Sequence, residues 1–308
     1  MRIKILGSAA GGGFPQWNCG CVLCRGVRER KLSASARTQC QVAISSGEGW
    51  FLLNASPDLR AQIEGTTELQ PRAVRQSPIA GVLVTGGDLD QVLGLLLLRE
   101  LHPIRIYATA SVRRLLRNHN TFFKMLSQEP GQSLWTDITP GVSFALASPA
   151  GSSSALVCRP MALQGGFPAY VGERRASTLL AGQAVLGLVI ESNHGGGRLA
   201  YFPVVADLDA NLTTILNSCD LLLFDGTFWT DDELIRIQGA GRTARQMGHL
   251  PISGPGGSLE RLSQLQRPRK IFVHINNTNP ILDQNSPEYQ EVRNAGWEVA
   301  EDGWEFKL

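Results

Sequence analysis

Short apolar runs that stop at polar, glycine-rich loops recur along this chain and restrict the folds open to it. Ile79 to Thr85 runs into Gly86-Gly87-Asp88, Asp220 to Phe224 into Asp225-Gly226-Thr227, and Ile271 to Val273 into His274. Runs of this length bounded by turn residues read as strands. Further strands are expected at Ile3 to Leu6, Gln41 to Ser45, Trp50 to Asn54, Ile104 to Ala108, Leu156 to Leu163, Val185 to Glu191 and Arg198 to Phe202. Gln41 to Ser45 and Trp50 to Asn54 are joined by a Gly47-Glu48-Gly49 turn. Helices are expected at Asp58 to Ile63, Leu89 to Glu100, Ser111 to Asn118, Asp231 to Ile237, Ser258 to Gln266 and Pro287 to Asn294. Strand alternating with helix implies an α/β protein whose strands feed surface loops. The two halves look alike, with no linker and no sequence repeat, which suggests a duplicated sandwich. Residues 131–182 are rich in Gly, Pro and Ser, and Gly165 to Ala184 reads as a long surface loop of the kind that serves as a lid or binding loop. Trp297 to Ala300 and Trp304 to Lys307 are expected to close the chain as a hairpin.

Composition narrows the partners. With 308 residues and 43% hydrophobic content the chain can bury a full core. Net charge is +2, and the densest basic stretch, Arg25 to Lys31, is interrupted by Glu29, so no nucleic-acid footprint is expected. Val92 to Leu98, the longest apolar run, is too short to cross a bilayer, and the first residues lack the features of a signal peptide. Cys40, Cys158 and Cys219 are scattered, in keeping with reduced thiols and a cytoplasmic location.

Cys19, Cys21 and Cys24 form a C-x-C-x-x-C cluster. Core packing does not account for three thiols in six residues. A disulfide would leave one thiol over, and half-cystines this close strain the backbone. Thiolates converging on a soft cation, Zn²⁺ above all, account for the pattern. The cluster supplies three of the usual four ligands.

Other candidates lie where strands end. Asp88 and Asp90 can face a cation or cap the helix that follows. Asp225 ends a very apolar strand, where a carboxylate is costly unless paired, metal-bound or used in a turn. Asp207 and Asp209 are weaker candidates of the same kind. His249 lies in Met247-Gly248-His249-Leu250-Pro251. His274 opens His274-Ile275-Asn276-Asn277-Thr278-Asn279-Pro280, a strand end too polar for simple core packing. Neutral imidazole is a common metal ligand, and asparagines orient water or substrate. His102, His119 and His194 lack this context and read as surface residues. Gly7-Ser8-Ala9-Ala10-Gly11-Gly12-Gly13 lacks the features of a phosphate loop and reads as a tight turn beside the cysteines.

Taken in order, L-G-S-A-A-G-G-G-F-P-Q-W-N-C-G-C-x-x-C, N-A-S-P-D-L-R, D-G-T-F-W, M-G-H-L-P-I-S-G-P and H-I-N-N-T-N-P-I-L-D resemble the PqqB family of pyrroloquinoline quinone (PQQ) biosynthesis. The resemblance implies a metallo-β-lactamase-like αββα sandwich, a single domain over 1–308 with a variable middle at about 131–182. Against the superfamily motif T-H-x-H-x-D-H this chain has Thr85, Gly86, Gly87, Asp88, Leu89, Asp90 and Gln91, so three imidazoles are missing. Many relatives keep Asp-His where Asp90-Gln91 stands. The resemblance further implies a structural zinc and iron-dependent hydroxylation of the tyrosine ring in a Glu-Tyr-derived PQQ precursor. Asp90 and His274 are the expected iron ligands, with His249 and Asp225 as ligands or supports. Asn276, Asn279 and Gln91 are expected at water or substrate, and Arg37 or Arg60 at substrate carboxylates. For the fourth zinc ligand His274 is the better donor, while Asn277 stands where related enzymes place a histidine. Alternatives are a non-catalytic carrier that transports PQQ or its precursor, and a residual metallo-hydrolase. Expected partners are the peptide-derived substrate or PQQ, other proteins of the pathway and a second copy of the chain, with no nucleic acid or membrane.

Overall fold

The computed structural model describes residues 1–47 and 49–308. It divides into two compact units, the first formed by Met1–Leu6, Gln41–Gly197 and Gly303–Leu308, the second by Gly7–Cys40 and Arg198–Asp302.

The first unit holds β1 (Arg2–Gly7), β2 (Gln41–Ser45), β3 (Trp50–Leu53), β4 (Ile79–Leu83), β5 (Ile104–Ala108), β6 (Ser133–Asp137), β7 (Phe144–Ala147), β8 (Ser153–Ala162) and β9 (Leu186–Ser192). It also holds the terminal strand Glu305–Lys307, which pairs antiparallel with β1, Ile3 opposite Phe306. From that edge the sheet runs β1 to β6 in chain order. β2 and β3 form the expected antiparallel hairpin, with Glu48 of its turn outside the described residues. β3 to β6 are parallel. Every residue of β2, β3 and β4 is buried, as in a sheet covered on both faces. Helix Ala110–His119 turns Val112, Leu115 and Leu116 inward and is capped by Thr109, whose hydroxyl accepts from Val112 N at 3.2 Å. Such a cap contributes about 1 kcal/mol.

Three expectations for this unit change. The helix expected over Leu89 to Glu100 is α-helical only at Leu89–Val92 and continues as a 3₁₀ segment, Leu93–Leu98. Gly94 N donates to Ala55 O at 2.9 Å instead of within a helix, and a Cβ there would run into Ser56 O. The middle of the chain is more regular than its composition suggests. β8 is ten residues long and sits between β7 and β9, antiparallel to both. Pro160 is accommodated because β7 pairs only as far as Cys158. Finally, Gly165 to Ala184 is tethered: Thr109 Oγ1 donates to Gln183 O at 2.8 Å, Ser111 N to Gln183 Oε1 at 3.0 Å, and Tyr170 Oη to Gly87 O.

The second unit is built on four parallel strands in the order β10 (Leu199–Phe202), β11 (Leu221–Asp225), β12 (Arg269–Val273) and β13 (Trp297–Val299). Phe202, Phe224, Phe272 and Val299 align in one row. Trp297 stacks on Phe272 at 4.2 Å between ring centroids and meets Phe224 edge-on. The expected closing hairpin does not form. β13 joins this parallel set while the terminal strand pairs with β1, because Asp302, between them, accepts from Ser8 Oγ, Thr38 N and Thr38 Oγ1 at 2.7–2.8 Å. Parallel pairing places the carboxyl ends of β11 and β12 at one edge, where open α/β sheets carry their ligands. Asp225 pairs with Val273, the residue before His274.

Candidate metal centres

Two groups in the second unit can each hold a cation. In the first, ligand atoms of Asp225, His249 and His274 lie within 4.8 Å of one another, and all three residues are buried. Asp225 is reached by β11, His274 by β12, and His249 by the loop after the 3₁₀ turn Arg245–Met247. The two imidazoles are stacked, 20° between planes and 5.5 Å between centroids. Asp225 Oδ2 accepts from Val205 N at 2.8 Å and lies 2.7 Å from His249 Nδ1. Its Oδ1 accepts from Thr227 N at 3.0 Å and Thr227 Oγ1 at 2.6 Å. Those four bonds use the four acceptor positions of a carboxylate. Burial alone would raise the Asp225 carboxyl, but the neighbouring His249 and His274 together with the hydrogen bonds from His249 and Thr227 outweigh it and hold the group below the usual carboxylate range. Asp225 therefore works through the imidazoles rather than offering an open lone pair. Paired imidazoles in a buried pocket suit a borderline cation such as iron or zinc.

Thr227 is the residue missed from the sequence. Its Oγ1 lies 3.0 Å from His249 Nδ1 and 2.8 Å from His274 Nδ1. The signal was a hydroxyl two residues beyond Asp225, in a D-G-T turn read for its aspartate alone.

In the second group the sulfurs of Cys19, Cys21 and Cys24 lie within 4.8 Å of one another. Sulfurs 2.3 Å from a common tetrahedral ion would stand about 3.8 Å apart, so the set fits zinc. Burial pushes the Cys21 thiol up to about 11, a cost that a bound cation reverses. Of the two residues expected at the fourth place, Asn277 lies beside the cysteines, while His274 is grouped with Asp225 and His249. Asn277 Nδ2 lies 3.3 Å from Cys24 Sγ, with the amide flip that turns Oδ1 inward open to it. His274 is committed to Thr227, since it leaves β12 in left-handed backbone at φ 56°, turned into the histidine group. Beside the cysteines lies a cavity of about 730 Å³ walled by Asn18, Cys19, Cys21, Asn276, Asn277 and Thr278. Thr278 Oγ1 donates to buried Glu233 at 2.5 Å and takes Asn276 Nδ2 at 2.5 Å. Burial pushes Glu233 up to about 7.

The remaining expected residues divide. Asn276 faces the cavity. Asn279 does not meet an open site: its Nδ2 donates to Gly226 O at 2.9 Å and its Oδ1 accepts from Ile281 N at 3.1 Å, so it braces backbone. Arg37 is buried against Glu301 and Ser8 and is no exposed carboxylate receptor. Asp90 and Gln91 belong to the first unit, in the short helix after β4. Gln91 is buried, its Oε1 has no hydrogen-bond partner among the described residues, and a Cβ on Gly86 would collide with that oxygen. His119 is half-buried, not on the surface as expected.

The model of the beta-lactamase superfamily domain matches residues 49–275, and the chain is a member of that class, with a mixed α/β fold of two sheets. A relative from Pseudomonas entomophila (strain L48), coenzyme PQQ synthesis protein B, is 44% identical over 310 residues, covering 100% of both chains. The structure of Zn²⁺-bound PqqB from Methylobacterium extorquens matches with a TM-score of 0.90 and 38% identity, again over 100% of both chains. This chain belongs to the coenzyme PQQ synthesis protein B family. A diphosphatase of the PhnP family, 17% identical with a TM-score of 0.68 over 100% of this chain and 97% of that one, shares the fold. Among the described residues no helix is long and apolar enough to cross a membrane.

Proposed function

We propose that this chain serves PQQ biosynthesis, the role its relatives' name states, as an iron- and O₂-dependent hydroxylase of the tyrosine ring in a Glu-Tyr-derived precursor. The observation that carries this reading is the buried pair His249 and His274, each with Nδ1 tied back into the protein. Imidazoles held this way are ligands for one iron, whose bound form supplies O₂ activation. Asp225 and Thr227 orient the two rings. Cys19, Cys21 and Cys24, with Asn277, hold a structural zinc apart from the chemistry, in line with the Zn²⁺-bound relative.

One oxygen atom enters a ring C–H bond. The other leaves as water with two protons and two electrons, which an external reductant must supply. Gly86, Asp88 and Gln91 in place of imidazoles argue against a hydrolase that needs two ions, and they are also what favours the metal-independent carrier. To separate the readings, zinc-replete protein is loaded anaerobically with Fe²⁺ and given a Glu-Tyr peptide, ascorbate and ¹⁸O₂. A product heavier by one labelled oxygen is expected, with loss of that product in His274→Ala and His249→Ala. Unchanged peptide with iron shown to be bound would sink the hydroxylase. Calorimetric binding of PQQ that survives metal removal would favour the carrier.

A further inference from the structure

We infer that the Thr227 hydroxyl is the positioning group that sets the tautomer of His274, as Asp225 sets that of His249, so that both rings carry the proton on Nδ1 and the lone pair on Nε2. The argument is a count of protons. A threonine hydroxyl has one hydrogen to give and two lone pairs to receive with. Thr227 Oγ1 has four polar neighbours: Asp225 Oδ1 at 2.6 Å, His274 Nδ1 at 2.8 Å, His274 O at 2.9 Å and His249 Nδ1 at 3.0 Å. The ionised carboxylate has no hydrogen, so the shortest of these contacts takes the threonine's own proton. The His274 carbonyl is then at most a minor branch of that bond.

The hydroxyl has nothing left to give His274 Nδ1, so at 2.8 Å that nitrogen must bring the hydrogen. His249 Nδ1 is fixed independently: it lies 2.7 Å from Asp225 Oδ2, an acceptor only, and so must also carry one. The His274 N–H fills one lone pair of Thr227, and the second faces the single His249 N–H only as the longer branch, at 3.0 Å, of that group's bond to Asp225, so the count closes. Each ring is left with Nε2 as its lone-pair atom, the state in which an imidazole ligates a metal or takes up a proton.

The local sequence is built for this. A Cβ on Gly226 would stand 2.8 Å from Phe272 Cβ and 3.1 Å from Val273 O, so only glycine lets the end of β11 lie close enough to β12 for Thr227 to reach His274. The threonine backbone is held too, its N on Asp225 and its O accepting from Asn276 N at 3.1 Å. Valine at this position would keep the shape and lose the proton count.

The inference rests on hydrogen-bond geometry and not on the reaction, so it can fail while the hydroxylase reading stands, and the reverse. The test is long-range ¹H–¹⁵N correlation on zinc-replete, iron-free protein labelled with ¹⁵N-histidine, above the imidazole titration, with His249→Gln and His274→Gln for assignment. Wild-type protein is expected to show Nδ1–H rings for both residues. In Thr227→Val, which removes the Nδ1 acceptor of His274, that ring is expected to leave the pure Nδ1–H form, while His249 keeps it through Asp225. Thr227→Ser is expected to restore the wild-type pattern. Anaerobic Fe²⁺ titration is expected to show binding weakened about 10–100-fold in the valine variant and not in the serine variant. An Nε2–H ring at either position in the wild type, or an unchanged His274 in Thr227→Val, overturns the inference. The wild-type spectrum decides the matter even where the valine variant does not fold.

Discussion

The cysteine group and the histidine group lie in the same unit and each gathers its ligand atoms within 4.8 Å of one another, yet they are built in opposite ways. Cys19, Cys21 and Cys24 come from one loop and the short helix Val22–Arg28, and two of the three are only half-buried. Their sulfurs touch little besides one another and Asn277. Asp225, His249 and His274 come from separate elements, are buried, and are bonded through Thr227 and Val205 N until the carboxylate is full. A site with few protein bonds depends on its ion for stability. A site saturated by protein bonds is rigid before any ion arrives, as a reacting centre needs to be.

That contrast can be broken by experiment. The largest effect is expected at the cysteines. Cys24→Ser should abolish zinc binding measured by metal analysis, a loss on the order of 10 kcal/mol of binding free energy, with a sharp fall in thermal stability. His249→Ala should leave the zinc content untouched. If it removes zinc, the two groups are one system and the comparison fails.

Next is Asp225→Asn, which puts an amide N–H₂ among groups that need an acceptor. A loss of about 3–5 kcal/mol is expected in urea unfolding. Because the Asp225 carboxyl is held below its ordinary value, its contribution is present above the unfolded pKa and is lost as pH falls through the folded one. The variant should therefore lose part of the wild type's acid sensitivity. An unchanged acid limb would show that the carboxylate is not held as described.

The smallest effect is expected at buried Glu233, which accepts from Thr278 Oγ1 and Trp229 N. Its pKa is raised to about 7, so the folded state keeps a proton that the unfolded chain gives up near the ordinary glutamate value. Stability should fall with rising pH between those values, by roughly 3 kcal/mol in all, and level off above about 7. Glu233→Gln should flatten that slope. A slope that survives the substitution belongs to another group.

The same contrast explains what the sequence made legible. A cluster contiguous in sequence needs no fold to be recognised, and Cys19, Cys21 and Cys24 were read directly. Gln41–Ser45, Ile104–Ala108 and Pro287–Asn294 form within the bounds expected, since each has a clean pattern and clear stops. His249, His274 and Asp225 were singled out, but their grouping depends on parallel register and on a left-handed turn at His274, neither visible locally. For that reason the sequence alone leaves His274 open to the zinc as well, whereas in the structure Asn277 is the residue beside the cysteines. β8 was cut short because Gly, Pro and Ser hid the two-residue alternation that buries Ser154, Leu156, Cys158 and Pro160. The closing hairpin was misread because neighbours in sequence pair most often, and nothing local marks Asp302 as the point where they part.

The pairing of Ile3 with Phe306 carries a consequence for how such a chain is made. Synthesis runs from one end to the other, yet β1 gains this edge partner only after some three hundred further residues have followed it. Until then the first unit carries an open edge, which is a template for wrong pairing. Contacts this distant in sequence form slowly. The nascent protein should therefore lean on holding factors late in translation, and shortening it by its last few residues should cost solubility before it costs anything at either cluster.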